Sequence, residues 1–288
     1  MLNREWFSEF TEGDGLATSL KLRRKLHEER TPHQHIAVYE TETFGNLLLL
    51  DGIIMLTARD NYIYHEMMTH TPLFSHPAPR DVLIAGGGDC GSLREIAKHR
   101  EVASITQVEL DERVVRTAER FFPELCAANG DPRVRMIFDD AVAWLARAGE
   151  RTLDVLVLDT PDPVGPARRL FSEPFYRDCL RALRPGGILT AQTESPLLDL
   201  DFLRQTQDAL QRAGFAEVRT VLFPACSYPS GWWTASMARK GRPFDGFREQ
   251  DARAKEFPTS YYNAGIHVAS QVLPEALREA LAPDAPAP

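Results

Sequence analysis

The feature that most constrains this chain is an alternation of buried strands with amphipathic helices that begins at Asp81. Short apolar runs predict strands, and the segments between them carry apolar residues at helical spacing. This alternation predicts a parallel sheet with both faces covered by helices. Ligands bind at the carboxyl ends of the strands in such sheets. The predicted strands are 82–85, 104–109, 134–138, 153–159 and 188–192, with helices near 92–99, 111–121, 141–147 and 173–183.

The first 60 residues follow a different pattern. Two short apolar runs, 35–39 and 46–50, are bounded by turn residues at Gly45 and at Asp51-Gly52, which predicts a small antiparallel β unit. We therefore predict an α/β protein in three parts. These are an N-terminal β domain over 1–60, a Rossmann-like, doubly wound catalytic domain of the methyltransferase type over 61–282, and a disordered tail over 283–288.

Charge and composition exclude several classes of protein. A net charge of −8 disfavours nonspecific binding to nucleic acid. No window approaches the roughly 18 uninterrupted apolar residues of a membrane span, and the first residues do not resemble an export signal, so we expect a cytoplasmic protein. The cysteines form no C-x-x-C pair and no Cys/His cluster, so we expect reduced thiols and no metal site. They are Cys90, Cys126, Cys179 and Cys226.

A glycine-rich turn follows the first predicted strand of the alternating region. Gly86, Gly88 and Gly91 match G-x-G-x-x-G, and Glu109 closes the next strand, where an acid can accept hydrogen bonds from ribose hydroxyls. A structural glycine turn would account for the motif alone. Together with the acid, the motif favours binding of a nucleoside cofactor.

Asp89 indicates which nucleoside fits. A carboxylate in this turn would repel a pyrophosphate, so a cationic ligand such as S-adenosylmethionine or its decarboxylated form is favoured over a dinucleotide. Asp140 follows the third strand and could accept a hydrogen bond from an adenine amino group. Either Asp139 or Asp140 could instead cap the next helix, and both roles can coexist.

Two carboxylates lie three residues apart after the fourth strand, in Asp159-Thr160-Pro161-Asp162-Pro163. Prolines fix φ and remove backbone donors, so this loop presents its acids rigidly. A structural acid cluster in a turn is the alternative. Because the loop lies on the ligand-binding edge of the sheet, we expect it to hold a cationic substrate.

Seven ordered motifs together resemble the spermidine synthase family of polyamine aminopropyltransferases, over about residues 34–282. The resemblance implies aminopropyl transfer from decarboxylated S-adenosylmethionine to a polyamine, most simply putrescine, giving spermidine and methylthioadenosine. It implies no prosthetic group and suggests a homodimer. The motifs are Asp51-Gly52, Tyr64-His65-Glu66-Met67, His76-Pro77, Gly86-Gly87-Gly88-Asp89, Asp159 to Pro166, Tyr228-Pro229-Ser230-Gly231 and Tyr261-Tyr262-Asn263.

The resemblance also assigns roles to individual residues. Asp159 matches the general base and Asp162 an acceptor-binding acid. The remaining acceptor residues it implies are Tyr64, His65, Asp89, Gln192, Tyr228 and the N-terminal Trp6. The donor residues it implies are Gln34, Gly86, Gly88, Asp89 for the amino end, Glu109 for ribose, Asp140 for adenine, Ala141 and Pro166.

The chain departs from the family pattern at the rim between donor and acceptor. Met55 and Asn61 replace an amide and an acid, Cys90 replaces a glycine, and Ala225-Cys226-Ser227 replaces I-P-T. These changes leave the acceptor open among putrescine, cadaverine, agmatine and spermidine. An S-adenosylmethionine-dependent amine N-methyltransferase, a nicotinamide dehydrogenase and a nonenzymatic sensor are the other classes considered; Asp89 opposes the dehydrogenase, and the retained Asp159 and Asp162 oppose the sensor.

Overall fold

A computed structural model describes residues 5–11, 13, 15–163 and 165–282. The predicted tail 283–288 and residues 1–4 lie outside the described residues. No helix of the described part is long and apolar enough to cross a membrane. The two sheets of the structure correspond to the two predicted folded parts, and the predicted α/β class is confirmed.

The N-terminal sheet has five antiparallel strands in sequential order. A two-residue turn joins its last two strands: Asp51 and Gly52 have φ values of 49° and 84°, and Leu50 pairs with Ile53. Positive φ at both positions is typical of hairpin turns that match strand twist. The strands are β1 (Trp6–Thr11), β2 (Leu16–Arg30), β3 (His35–Thr41), β4 (Asn46–Leu50) and β5 (Ile53–Thr57).

Helix α1 (Asn61–Ser75) connects the two sheets and is almost entirely buried. Thirteen of its residues are buried, and only Tyr62 and Tyr64 are partly exposed. A helix that is covered on all sides belongs to a core, so α1 holds its side chains rigidly. Sequence periodicity did not identify it, because its residues are buried all around rather than along one stripe. The predicted boundary at residue 60 falls in the turn between β5 and α1.

The large sheet has seven strands in the order β11-β12-β10-β9-β6-β7-β8. The five predicted strands run parallel, but β12 pairs antiparallel with both β10 and β11. The prediction of a wholly parallel sheet was therefore incomplete at this edge. The strands are β6 (Asp81–Gly86), β7 (Ser104–Glu109), β8 (Val134–Phe138), β9 (Leu153–Asp159), β10 (Leu183–Gln192), β11 (Phe215–Pro224) and β12 (Trp232–Lys240).

Helices pack on the sheet over apolar clusters that include Ile84, Val157 and Met237 on one side and Leu83, Leu156 and Leu189 on the other. Adjacent strand residues alternate between these two clusters, as a sheet covered on both faces requires. The helices are α2 (Gly91–Ala97), α3 (Glu112–Phe121), α4 (Ala141–Arg147), α5 (Glu173–Ala182), α6 (Leu200–Ala213), α7 (Glu249–Ala254), α8 (Ala264–Ala269) and α9 (Glu275–Ala280).

Candidate active site

The candidate site lies where the strand order reverses, at the carboxyl ends of β6 and β9. These strands are neighbours, and Gly86 pairs with Asp159 in the register. Gly87 N donates a hydrogen bond of 2.7 Å to Asp159 O. Buried Gln107 supports the same turn by donating to the carbonyls of Gly86 and Gly87. This switch point is where open α/β sheets bind ligands.

Two glycines of the turn allow close approach of other groups. Gly86 has a φ of 85°, and a Cβ there would lie 2.1 Å from Asp159 O. A Cβ on Gly91 would lie 2.1 Å from the His65 ring. A side chain at Gly86 would displace the backbone of Asp159, and one at Gly91 would displace the His65 imidazole. The glycine pattern is therefore required by packing as well as by backbone conformation.

Asp159 sits between two hydroxyl donors. Tyr64 Oη donates to Asp159 Oδ1 at 2.8 Å, and Ser92 Oγ donates to Asp159 Oδ2 at 2.6 Å. Burial and the nearby Asp89 carboxylate raise the pKa of Asp159, although His65 and the two hydroxyls oppose the shift. A carboxylate with a raised pKa is a better proton acceptor than an ordinary aspartate. Ser92 was not among the predicted site residues.

His65 and Asp89 form a buried pair beside Asp159. His65 Nε2 lies 3.2 Å from Asp89 Oδ2, and Gly91 N donates to Asp89 Oδ1 at 2.7 Å. Burial opposes the charged form of each group, but their mutual attraction outweighs it, so the pKa of His65 is raised and that of Asp89 is lowered. His65 Nδ1 is buried without a hydrogen-bond partner among the described residues.

The same three residues could hold a cation. One ligand atom from each of His65, Asp89 and Asp159 lies within 4.8 Å of the others. This spacing suits a metal ion or an ammonium group with hydrogen bonds to several acceptors. The sequence predicts no metal site. The spacing of these three ligand atoms is compatible with either kind of cation.

Glu109 and Gln34 are both hydrogen-bonded to Asp111, which follows β7. Burial raises the pKa of Glu109 to about 7, while Asp111 N donates to Glu109 Oε1 at 2.9 Å. Gln34 Nε2 donates to Asp111 Oδ2 at 3.0 Å. The structure thus brings a residue of the N-terminal domain to the predicted ribose acid. Asp111 was missed, although an acid two residues beyond Glu109 that caps α3 is a visible signal.

Asp140 caps α4, as the alternative interpretation expected. Asp140 Oδ1 accepts from Val142 N at 2.8 Å, and Asp140 Oδ2 accepts from Arg169 Nη2 at 3.0 Å. Ala141 is the first residue of the helix, beside this carboxylate. Pro166 belongs to the 3-10 segment Gly165–Phe171, but its side chain lies outside the described residues.

Asp162 pairs with Glu194, an acid that is not among the predicted site residues. The carboxyl of Glu194 is hydrogen-bonded to Asp162, and burial together with the Asp162 charge raises the pKa of Glu194 well above its ordinary value. Gln192 Nε2 donates to Glu194 Oε1 at 2.8 Å. The signal was available, since Gln192 and Glu194 come at the carboxyl end of a predicted strand. The raised pKa values of both acids favour protonation of the pair when no cation is bound.

Aromatic side chains cover this part of the site. The rings of Tyr64 and Tyr228 have centroids 6.3 Å apart, and Tyr228 Oη donates to the carbonyl of Met55. A cavity with room for about one water molecule lies beside them, lined in part by His65, Asp60 and Ser227. Both predicted tyrosines therefore line this cavity, and Tyr64 also contacts Asp159.

Trp6, a predicted acceptor residue, is the first residue of β1, and Glu9 follows it on the same strand. Glu9 Oε2 accepts from Ile54 N at 2.6 Å, and burial and the Asp162 charge raise the pKa of Glu9. Because side chains alternate along a strand, Trp6 points to the face of β1 opposite Glu9, where it is 36% exposed. Glu9 is the residue of β1 whose carboxyl lies within the influence of Asp162, and the role of Trp6 at the acceptor stays a prediction.

Comparison with known families agrees with this geometry. Residues 61–245 match the spermine/spermidine synthase domain, and residues 5–58 match the spermidine synthase tetramerisation domain. The chain belongs to the spermine/spermidine synthase family. Its enzyme class is that of the polyamine aminopropyltransferases.

Similar proteins extend over nearly the whole chain. The polyamine aminopropyltransferase of Methylococcus capsulatus is 53% identical over 278 residues, covering 96% of this chain and 97% of the relative. That of Thioalkalivibrio sulfidiphilus is 53% identical, covering 97% and 99%. A crystal structure of a spermidine synthase in complex with the transition-state analogue AdoDATO superposes with a TM-score of 0.93 at 32% identity, covering 97% of this chain and 96% of that one. The Thermotoga maritima spermidine synthase gives 0.91 at 32% identity, with coverage of 97% and 95%.

Proposed function

We propose that the protein transfers the aminopropyl group of decarboxylated S-adenosylmethionine to putrescine, giving spermidine and methylthioadenosine. The observation that carries the proposal is the pair of acid clusters joined by one rigid loop. Asp159 lies with Asp89 and His65, and Asp162 lies with Glu194. Two acid clusters whose aspartates lie three residues apart in one loop suit a diamine with ammonium groups at opposite ends.

We assign the donor to the β6–β8 side of the site. Glu109 accepts from the ribose hydroxyls, Gln34 closes over them from the N-terminal domain, and Asp89 holds the donor's amino end. Asp140 accepts from the adenine amino group once Arg169 has moved from its oxygen. The AdoDATO complex of the similar spermidine synthase supports a decarboxylated donor over its carboxylated parent.

The reaction requires a neutral amine at the reacting carbon. An alkylammonium with a pKa near 10 and an ordinary aspartate near 4 differ by about 6 units, or on the order of 8 kcal/mol for proton transfer. The raised pKa of Asp159 narrows this gap. Asp159 takes one proton from the acceptor, the amine nitrogen bonds to the aminopropyl carbon, and the carbon–sulfur bond breaks with its electron pair going to sulfur.

We assign the far end of the acceptor to Asp162 and Glu194. An ammonium bound there favours the ionised forms of the two acids, whose pKa values burial raises in the empty site. Gln192 orients Glu194, and Glu9 contributes a further acid from the N-terminal sheet. Cadaverine, agmatine and spermidine also carry a second cationic group, so the length and terminal group of the acceptor decide among them.

Amine N-methylation is the second candidate, because S-adenosylmethionine carries the same nucleoside and sulfonium as the decarboxylated donor. Both reactions are tested by incubating the protein with each donor and a panel of putrescine, cadaverine, agmatine and spermidine, followed by mass spectrometry. The proposal expects aminopropylated putrescine with the decarboxylated donor. Methylated amine from the parent donor would establish the second candidate instead.

We also propose a cytoplasmic homo-oligomer. The match of residues 5–58 to a tetramerisation domain supports self-association through the N-terminal sheet. Light scattering on the purified protein distinguishes the homodimer expected from the family resemblance from a tetramer.

A further inference from the structure

Cys90 occupies an unusual backbone position in the donor-binding turn. Its φ is 67°, in the left-handed region, where an L-residue is strained and glycine is preferred. The residue lies between Asp89 and Gly91 and is completely buried. Because glycine would avoid the strain, a cysteine at this position implies that its side chain makes a contact that glycine could not make.

That contact is with a second thiol. Cys126 lies after α3 in sequence, and its Sγ donates to Asp89 O at 3.9 Å, while Cys90 Sγ donates to Gly88 O at 3.7 Å. The two thiols therefore lie on consecutive carbonyls of the same turn, and Cys126 is near enough to raise the pKa of the Cys90 thiol. Asp89 lies between the two anchoring points.

The two sulfurs differ in access to solvent. Cys126 is partly exposed, whereas Cys90 has no exposed surface. The Cys126 thiol and burial raise the pKa of the Cys90 thiol, so Cys90 is the less reactive of the two toward an oxidant in solution. Of the other cysteines, Cys179 is buried and Cys226 is exposed.

We propose that Cys90 and Cys126 form a reversible disulfide that switches off donor binding. A peroxide oxidises Cys126 to a sulfenic acid and releases water. The Cys90 sulfur then attacks the Cys126 sulfur, and a second water leaves with the remaining proton. Two thiols lose two electrons in total and one hydrogen peroxide is reduced to two waters. A dithiol reverses the reaction by exchange.

The disulfide would move Asp89. A sulfur–sulfur bond of about 2.0 Å is much shorter than a contact between two unbonded sulfur atoms, so the turn must shift toward Cys126. Both S–H donors are lost at the same time, which leaves the carbonyls of Gly88 and Asp89 without these partners. This step rests on the proposed function, in which Asp89 holds the donor's amino end.

The test compares the reduced protein with protein treated with hydrogen peroxide and then desalted. Peptide mass spectrometry should find Cys90 crosslinked to Cys126 and two hydrogens lost. Calorimetry should show weaker binding of methylthioadenosine and of the decarboxylated donor, and dithiothreitol should restore both affinities. Cys126→Ser keeps a hydrogen-bond donor near Asp89 O, so its donor affinity should be normal and unaffected by peroxide.

Two further variants separate this pair from other thiols. Cys90→Gly relieves the strained backbone and should form no crosslink, whereas Cys226→Ser should remain as sensitive as the unmodified chain. Absence of the Cys90–Cys126 crosslink, or a crosslink without loss of donor affinity, would overturn the proposal. If the crosslink forms but the reduced protein transfers no aminopropyl group, the proposed function is wrong, whereas the assignment of Cys90 and Cys126 as a disulfide-forming pair is retained.

Discussion

Tyr64 and Asp159 are joined by a 2.8 Å hydrogen bond that links the buried helix α1 to the end of β9. The other oxygen of Asp159 accepts from Ser92 at the start of α2. Three elements of the core therefore fix the orientation of one carboxylate. A carboxylate held in this way loses little freedom when an amine approaches, which favours a defined line of attack.

Asp159→Asn should lose at least about two orders of magnitude in kcat, the usual scale for removal of a general base. The amide can still accept from Tyr64 or Ser92 but cannot take a proton from the acceptor. Methylthioadenosine should bind with nearly the affinity of the unmodified protein. Turnover is measured at saturating substrates and affinity by calorimetry; near-normal turnover would refute the assignment of the base.

Donor selectivity depends on the charge of Asp89. Decarboxylated S-adenosylmethionine and methylthioadenosine should bind more tightly than S-adenosylmethionine, whose carboxylate would approach the Asp89 carboxylate. Asp89→Asn should reduce this preference, because the repulsion disappears. Competition calorimetry gives the three affinities, and S-adenosylmethionine as the tightest ligand would favour the methyltransferase reaction.

Donor binding should weaken in acid because of Glu109. Its pKa is raised to about 7, so below that pH the empty site holds a protonated carboxyl that must lose its proton to accept from two ribose hydroxyls. The dissociation constant should rise by up to about tenfold per pH unit below 7. The stability of the protein without donor depends on pH in the opposite direction. The contribution of Glu109 to the free energy of unfolding is present below its unfolded pKa and is lost as pH rises through about 7.

The matched variant for this prediction is Glu109→Gln. Its affinity for methylthioadenosine should be lower at pH 8 and nearly independent of pH between 6 and 8. A pH dependence as steep as that of the unmodified protein would assign the titration to another group.

The sequence predicted most of the large sheet because its elements depend on local patterns. Strands 104–109, 134–138 and 153–159 match the structure residue for residue, since each is a short apolar run between helices. It did not predict α1, which has no polar face, or β12, whose direction depends on its place in the sheet.

The residues of the site also divide into those that a local pattern locates and those that depend on contacts between distant segments. Asp89, Glu109 and Asp159 follow strands and could be located from the strand pattern alone. Glu194, two residues beyond the predicted strand 188–192, could have been located in the same way. Ser92 and Glu9 could not, because their roles depend on contacts between distant segments. The contact of Glu9 with Ile54 N, for example, joins β1 to a strand that is not its neighbour in the sheet.

Glu194→Gln should raise the KM for putrescine while leaving donor affinity unchanged. The amide is neutral at every pH, so the site offers one negative charge fewer to the acceptor's far ammonium. A monoamine has no ammonium at that end. We therefore expect a low kcat/KM for it in both proteins, with little change in the variant. Steady-state kinetics with putrescine and with propylamine provide the comparison; an equal loss for both amines would place Glu194 in a purely structural role.

Met55 is the departure from the family that bears most directly on acceptor choice. Its carbonyl accepts from Tyr228, and its half-buried side chain packs against the cluster that contains Ile36 and Leu48. The resemblance places an amide here in relatives, where it can hydrogen-bond an amino group near the junction of donor and acceptor. A thioether is apolar and at best a weak acceptor, so the ammonium of a short diamine loses a partner. An acceptor with more methylene surface depends less on that partner.

Met55→Gln should therefore shift preference toward putrescine by a modest factor, on the order of 1 kcal/mol for one net hydrogen bond. The measurement is the ratio of kcat/KM for putrescine to that for cadaverine and for spermidine, in both proteins. Met55→Leu is the matched control, because it keeps an apolar side chain of similar size and should leave the ratio unchanged. The alternative is that a neighbouring side chain or a water molecule already supplies the missing contact. In that case the glutamine variant would show the same ratio as the unmodified protein, Met55 would serve only in packing, and acceptor choice would be made elsewhere in the cleft.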